Sequence, residues 1–115
     1  MTIRRIEPGQ RMSQAVVHAN TVYLAGQVGA AGASVADQTR AVLAQIDRLL
    51  GEAGSDKSRL LSATIWLADI GDFAEMNSVW DTWIDPANPP ARATGESKLA
   101  APEYVVEIIV TAACG

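Results

Sequence analysis

A single glutamate interrupts the most apolar stretch of the chain, "YVVEIIV". Strand alternation places Glu107 on one face with Val105, Ile109 and Thr111. A lone carboxylate among apolar neighbours is costly unless it is paired, hydrogen-bonded or protonated. Two interpretations follow: an edge-strand glutamate that faces water, or a carboxylate that moves protons near neutral pH.

A long cation, Arg92, stands where the stretch "PPARATGES" enters a strand. Alternation gives it Thr94, Glu96 and Lys98 as same-face neighbours, which is typical of a solvated polar face. A guanidinium is also the natural bidentate partner of a carboxylate and stays charged at every relevant pH. Arg92 is therefore either a solvated strand residue or the anchor of an anion.

An asparagine borders the apolar stripe of a predicted helix. Asn77 lies four residues after Phe73 and one after Met76. A buried amide needs hydrogen-bond partners. Asn77 either ties this helix to the strands or lines a site.

The elements that must position these residues follow an α+β pattern. The first two strands flank a turn at Ala19-Asn20, and a further short strand is possible at "TIRRI". A helix is expected from its cap Ser34 to Gly54, and a second helix from its cap Asp72. The remaining strands are predicted at "RLLSATIWLAD", 91–99 and 104–112. One sheet with two helices on one face results.

The two closing strands are expected to form a simple hairpin about "AAPE". In that register residue 92 faces about 111, and residue 107 faces about 96. Arg92 and Glu107 would then be about four residues apart along the ladder, on the order of 13 Å. A site that uses both would need a neighbouring subunit or another register.

Composition limits the classes of function. The 115 residues suit one domain, 1–115, with 49% apolar residues and a net charge of -4. Acidic balance argues against nucleic-acid and anionic-membrane partners. One histidine, His18, and one cysteine, Cys114, form neither an internal disulfide nor the usual nitrogen–sulfur metal cluster. No signal peptide or membrane span is apparent, so a cytoplasmic protein is expected.

Several segments together resemble a known family. "SQAVVHANTVYLAGQVG", "QTRAVLAQIDRLLGEAG", "ATIWLADIGDFAEMNSVWDTWI", "PPAR" and "VVEIIVTAA" occur in order across nearly the whole chain. They are similar to the RidA (YjgF-type) family of reactive imine and enamine deaminases. "MTIRRIEPGQRMS" and "APEYVVEI" look closest to its small YoaB-like branch.

The resemblance implies a chorismate-mutase-like α+β subunit in a homotrimer. The sheets would form an inner barrel, with ligand clefts between subunits. It also implies an enzyme without cofactor or metal that hydrolyses 2-imino acids, or their enamine tautomers, to 2-oxo acids and ammonia.

The resemblance also assigns roles. Arg92 corresponds to the arginine that binds the substrate carboxylate, and Glu107 to the glutamate associated with the attacking water. Asn77 corresponds to the helix asparagine that borders the cleft. Gly26 lies where backbone comes close to the ligand.

Three positions of the same implied site depart from the family pattern. Met12 stands in "QRMSQ" where a tyrosine is usual, Ala25 in "AGQ" where a serine is usual, and Thr94 where many members have cysteine. Two hydroxyl groups of the site wall are thereby lost. A trimeric protein that binds or senses a small carboxylate such as a 2-oxo acid, without turnover, is the alternative function.

Overall fold

The computed structural model describes residues 2–115 as six strands and two α-helices. The single-domain prediction also includes Met1, which lies outside the described residues. No helix in the described chain is long and apolar enough to cross a bilayer. The elements are β1 (Ile3–Pro8), β2 (Ser13–His18), β3 (Thr21–Leu24), α1 (Val35–Glu52), β4 (Leu60–Leu67), α2 (Phe73–Trp83), β5 (Ala91–Glu96) and β6 (Val106–Ala113).

The six strands form one mixed sheet in the order β1-β2-β3-β6-β4-β5. All neighbours are antiparallel except β4 and β5, which run parallel with α2 as the crossover between them. The predicted α+β class, with two helices against a mixed sheet, is confirmed, as is the extra first strand.

Local chemistry sets the helix ends. Ser34 accepts a hydrogen bond from the Asp37 backbone N–H at 3.1 Å and begins α1, as predicted. Gly54, with a φ of 77°, follows the cap that ends α1. Asp72 occupies the N-cap position of α2, as predicted, but its side chain makes no capping hydrogen bond.

The sheet has two unlike faces. Alternate residues of the central strands β4 and β6 pack against the helices in one hydrophobic core, and we call this side the helix face. The opposite side, here the open face, carries the half-buried side chains of Glu107, Ile109 and Trp66 and the half-exposed Tyr23. Val105 was expected on that side, but it precedes β6 and packs against the core.

The predicted hairpin of the last two strands is wrong. β4 lies between β5 and β6, so these strands do not pair. The strand after the α2 crossover returns parallel to β4 and becomes an edge strand. The very apolar β6 instead takes a central place between β3 and β4. The strands are also shifted, to 91–96 and 106–113 instead of 91–99 and 104–112.

Candidate active site

Arg92 lies on the helix face of the edge strand β5, beneath α2. The parallel register places it beside Ala63, a buried core residue of β4. Its Nη1 donates to Asn77 Oδ1 at 2.8 Å. Arg92 is therefore half-buried and tied to α2, and Asn77 joins the helix to the edge strand.

Two aromatic rings of α2 flank the same guanidinium. Arg92 Cζ lies 5.2 Å from the ring centre of Trp80 and 5.8 Å from that of Phe73. Both distances suit cation–π attraction. Phe73, Asn77 and Trp80 lie at positions i, i+4 and i+7, so one helix face supplies all three contacts.

No carboxylate neutralises this cation within the described chain. The three ion pairs formed by residues 2–115 are exposed pairs of Arg40 or Arg48. A half-buried guanidinium with one neutral hydrogen-bond acceptor keeps several donors for a carboxylate ligand.

A cleft of about 330 Å³ opens beside the guanidinium. Its walls come from the last turns of α2 and from the segment that leads into β5. Asp85 orders that segment by accepting hydrogen bonds from Asn88 Nδ2 at 2.9 Å and the Ala87 N–H at 3.0 Å. Both hydrogen bonds lower the pKa of Asp85 below its ordinary value, and the one from Asn88 has the larger effect. The lining residues are Asn77, Trp80, Asp81, Pro89, Pro90 and Arg92.

Thr94 follows Arg92 on the same face of β5. Its Oγ1 atom is buried and has no hydrogen-bond partner among residues 2–115. A buried hydroxyl without a partner costs free energy of folding. The polar face that the sequence assigned to solvent thus lies under α2 at Arg92 and Thr94.

Glu107 lies on the open face, near the start of the central strand β6. It lies directly opposite Trp66 of β4 in the antiparallel ladder and is half-buried. The interpretation as an edge-strand glutamate is therefore wrong. The Gly26 backbone abuts its carboxylate so closely that a Cβ on Gly26 would lie 2.9 Å from Glu107 Cδ. A side chain at position 26 would therefore displace the Glu107 carboxylate from its present place.

A buried glutamine holds the Gly26 segment in place. The backbone of Gln27 exchanges hydrogen bonds with Ile108, at 2.9 and 3.1 Å. Its Nε2 donates to Ala25 O and to Gln14 Oε1, both at 3.0 Å. The Ala25 carbonyl is thereby held inward, beside the glycine that touches Glu107.

Met12 lies near the same segment, in the turn between β1 and β2. It is 48% exposed and lines a cleft of about 410 Å³ together with Gly26 and Gln14. The predicted site residues thus form two groups. Arg92 and Thr94 of β5 lie under α2 beside Asn77 of that helix. Glu107, Gly26, Ala25 and Met12 lie around the ends of β2, β3 and β6.

The two groups are far apart within one chain. Arg92 aligns with Ala63 and Val110, whereas Glu107 aligns with Trp66. Two strand spacings and three residues along β6 give about 14 Å between their Cα atoms. Their side chains also leave opposite faces of the sheet. The separation expected from the hairpin is therefore found, although its cause is different.

Several contact residues escaped the sequence analysis. Phe73 was used only to place Asn77, and Trp80 was not singled out; the spacing of the two rings from Asn77 was the signal that they share a face with it. Gln38 interrupts the apolar stripe of α1, is fully buried, and binds the Glu103 carbonyl at 2.8 Å and the Val105 N–H at 2.9 Å. No group of three or more His, Cys, Asp or Glu side chains in the described chain is placed to hold a metal ion.

Comparison with known proteins supplies the context for these two groups. The family described as Endoribonuclease L-PSP matches residues 2–114. A RutC family protein of Haemophilus influenzae is 47% identical over 99% of this chain and 100% of that protein. The chain belongs to the YjgF/RidA family. The RutC family protein YoaB of Escherichia coli K12 is 46% identical over 98% of this chain and 99% of that protein, which confirms the YoaB-like branch.

Family structures share the fold. A YjgF family protein from Neisseria meningitidis has a TM-score of 0.97 and 49% identity, over 100% of this chain and 97% of that chain. A bovine 2-iminobutanoate/2-iminopropanoate deaminase is more distant, at 38% identity over 70% of this chain and 64% of that protein.

The unpartnered Thr94 hydroxyl predicts an unusual effect on stability. Thr94→Val removes the hydroxyl and keeps the shape, so we expect the free energy of unfolding to rise by about 1 kcal/mol. Urea unfolding at a fixed protein concentration measures the change.

A second buried threonine provides the matched control. Thr39 Oγ1 donates to Val35 O at 2.7 Å, so Thr39→Val loses a hydrogen bond and gives no stabilisation. Equal effects of the two substitutions would show that the Thr94 hydroxyl is satisfied.

Proposed function

We propose that the protein is a cytoplasmic, homotrimeric deaminase that hydrolyses reactive 2-imino acids, or their enamine tautomers, to 2-oxo acids and ammonia. Arg92 binds the substrate carboxylate and Glu107 handles the attacking water. Asn77 and Thr94 border the bound ligand on the Arg92 side, and Gly26, Ala25 and Met12 on the Glu107 side.

The state of Arg92 is the observation that carries this proposal. Its guanidinium is half-buried, oriented by Asn77 and two rings, and free of any ion pair within residues 2–115. Side chains that only solubilise an edge strand do not need such ordering, which costs side-chain entropy. A carboxylate ligand would supply the missing charge through a bidentate contact.

Hydrolysis of the imine beside Glu107 needs one proton acceptor. As water oxygen bonds to C2 of the imine, Glu107 takes a proton from that water and passes it to the imine nitrogen, which gives a carbinolamine. The hydroxyl proton then passes by way of Glu107 to the amino nitrogen as the C2–N bond breaks. Ammonia leaves, the 2-oxo acid forms, and Glu107 is again a carboxylate. Positioned proton transfer of this kind contributes about 10²- to 10⁴-fold in rate.

A trimer would bring the two groups together. They are about 14 Å apart and on opposite faces in one chain, so a small ligand cannot touch both. The open face presents Ile109 and Trp66 half-buried and Tyr23 49% exposed, which suits burial against another subunit. Each cleft would then combine Arg92 of one subunit with Glu107 of the next.

The comparisons support the reaction class only at a distance. The relatives that cover nearly the whole chain are named RutC family proteins, whereas the deaminase name belongs to proteins that match 70% of it. The family description names an endoribonuclease. A net charge of -4 gives the RNA backbone little attraction and does not favour that activity here.

Binding without turnover is the second candidate. Ala25 and Met12 provide no hydroxyl to the site wall, which favours it. The placement of Glu107 against Gly26 favours catalysis, because pure carboxylate binding needs Arg92 but not a second, half-buried carboxylate.

Ligand binding tests the anchor. Arg92→Ala should weaken binding of pyruvate or 2-oxobutyrate by about 2–5 kcal/mol, since a desolvated bidentate pair is lost. Arg92→Lys should restore only part of the affinity. Arg40→Ala, which removes an exposed arginine of α1, is the matched control and should bind as the parent does. Titration calorimetry decides, and parent-level affinity in Arg92→Ala would refute the anchor.

Turnover separates the two candidate functions. An amino-acid oxidase generates 2-imino acids in situ, and semicarbazide traps what remains. The parent should hydrolyse the imine and so reduce the fraction of it that semicarbazide traps. Glu107→Gln should lower this hydrolytic activity about 100-fold or more. Glu103→Gln removes a charge from an exposed loop and should retain it. A parent that binds 2-oxo acids but never competes with the trap is a binding protein.

A further inference from the structure

The entry into α2 is held by a carboxylate of the edge strand. Glu96, the last residue of β5, accepts a hydrogen bond from the Ile70 N–H at 3.1 Å through Oε1. Ile70 begins a short 3-10 turn, Ile70–Asp72, which leads directly into Phe73. Asp69 holds the same turn from within by accepting from the Gly71 N–H at 2.8 Å. Glu96 is therefore the contact that ties this turn to β5.

The two rings around Arg92 are fixed to different degrees. Trp80 is only 5% exposed, so the core determines its position. Phe73 is 42% exposed and lies in the first turn of α2, where the Asp72 side chain supplies no cap. Its ring centre is 5.8 Å from Arg92 Cζ, near the limit of about 6 Å for cation–π attraction. A small displacement of the turn would end the contact between Phe73 and Arg92 and leave the contact between Trp80 and Arg92 in place.

We infer that Glu96 is a positioning residue, which holds Phe73 over the Arg92 guanidinium through the Ile70 N–H and thereby sets the direction of the donors offered to the ligand carboxylate. The inference rests on the proposed role of Arg92 as carboxylate anchor. β5, which has a neighbouring strand on only one edge, is held at both ends: Arg92 binds Asn77 of α2 near its start, and Glu96 binds the turn before α2 at its end.

This role explains a residue that alternation alone assigns to solvent. Glu96 is exposed, and none of the three ion pairs within residues 2–115 includes it. Its contact is with the backbone N–H at the start of the 3-10 turn, a group that would otherwise be left to water. An exposed carboxylate in this place acts on Arg92 only through the turn and Phe73.

A double-mutant cycle tests the inference. Glu96→Ala and Phe73→Leu should each weaken binding of 2-oxobutyrate about two- to tenfold. The double variant should bind 2-oxobutyrate no more weakly than the weaker-binding single variant, because both substitutions remove the same contact between Phe73 and Arg92. Glu96→Gln keeps an acceptor oxygen and should restore most of the affinity. Ser97→Ala, at the adjacent exposed residue, should bind as the parent does.

A ligand-free readout keeps this test separate from the proposed function. The Arg92 Nε–H proton, assigned by its loss in Arg92→Lys, should lose part of its ring-current shift in Phe73→Leu. The chemical shift of this proton should change to the same extent in Glu96→Ala and should be unchanged in Glu96→Gln. Additive losses in the cycle, or an unmoved Arg92 signal in Glu96→Ala, would overturn the inference. A parent that binds no 2-oxo acid would refute the anchor, and the Arg92 signal would then decide the role of Glu96.

Discussion

The attachment of Arg92 to α2 is the constraint on which the candidate site depends. β5 is an edge strand with one neighbour in the sheet, and its inner face carries an arginine and a threonine where an apolar core residue would be usual. The hydrogen bond to Asn77 and the rings of Phe73 and Trp80 make burial of this cation tolerable. Without them the strand would expose its polar face and lose its fixed relation to the helix.

The same arrangement separates the charges that the proposed chemistry needs. Arg92 points to the helix face, and Glu107 lies two strands away on the open face. Neither is neutralised within residues 2–115. Both residues stay unpaired in one chain because the sheet keeps them apart. In the proposed trimer, a second copy would place one opposite the other. In that trimer, the burial of Ile109, Trp66 and Tyr23 on the open face and the completion of the site would be the same event.

The sequence predicted the class of fold and most elements because periodicity and caps are local signals. Ser34 and Gly54 marked α1 correctly, since each acts on its own backbone. Sheet order is not local, and the hairpin of the last two strands was wrong for that reason. Two clues favoured the true order: the most apolar strand, with Glu107, belongs in the centre, and the polar strand with Arg92 belongs at an edge. Asn77 and Glu107 stood out as polar residues beside apolar ones, and Arg92 as a long cation at the entry to a strand. Phe73 and Glu96 did not, because their roles depend on contacts between distant segments.

Mixed assembly of two variants tests most directly whether each cleft takes Arg92 from one subunit and Glu107 from its neighbour. Arg92→Ala and Glu107→Gln are first prepared separately, and each should assemble but be inactive in imine hydrolysis. Unfolded together and refolded at equal ratio, they should regain part of the parent activity, because some clefts receive both intact residues. If both residues of a cleft came from one chain, every cleft would carry a lesion. Continued inactivity in verified mixed trimers would contradict the shared cleft.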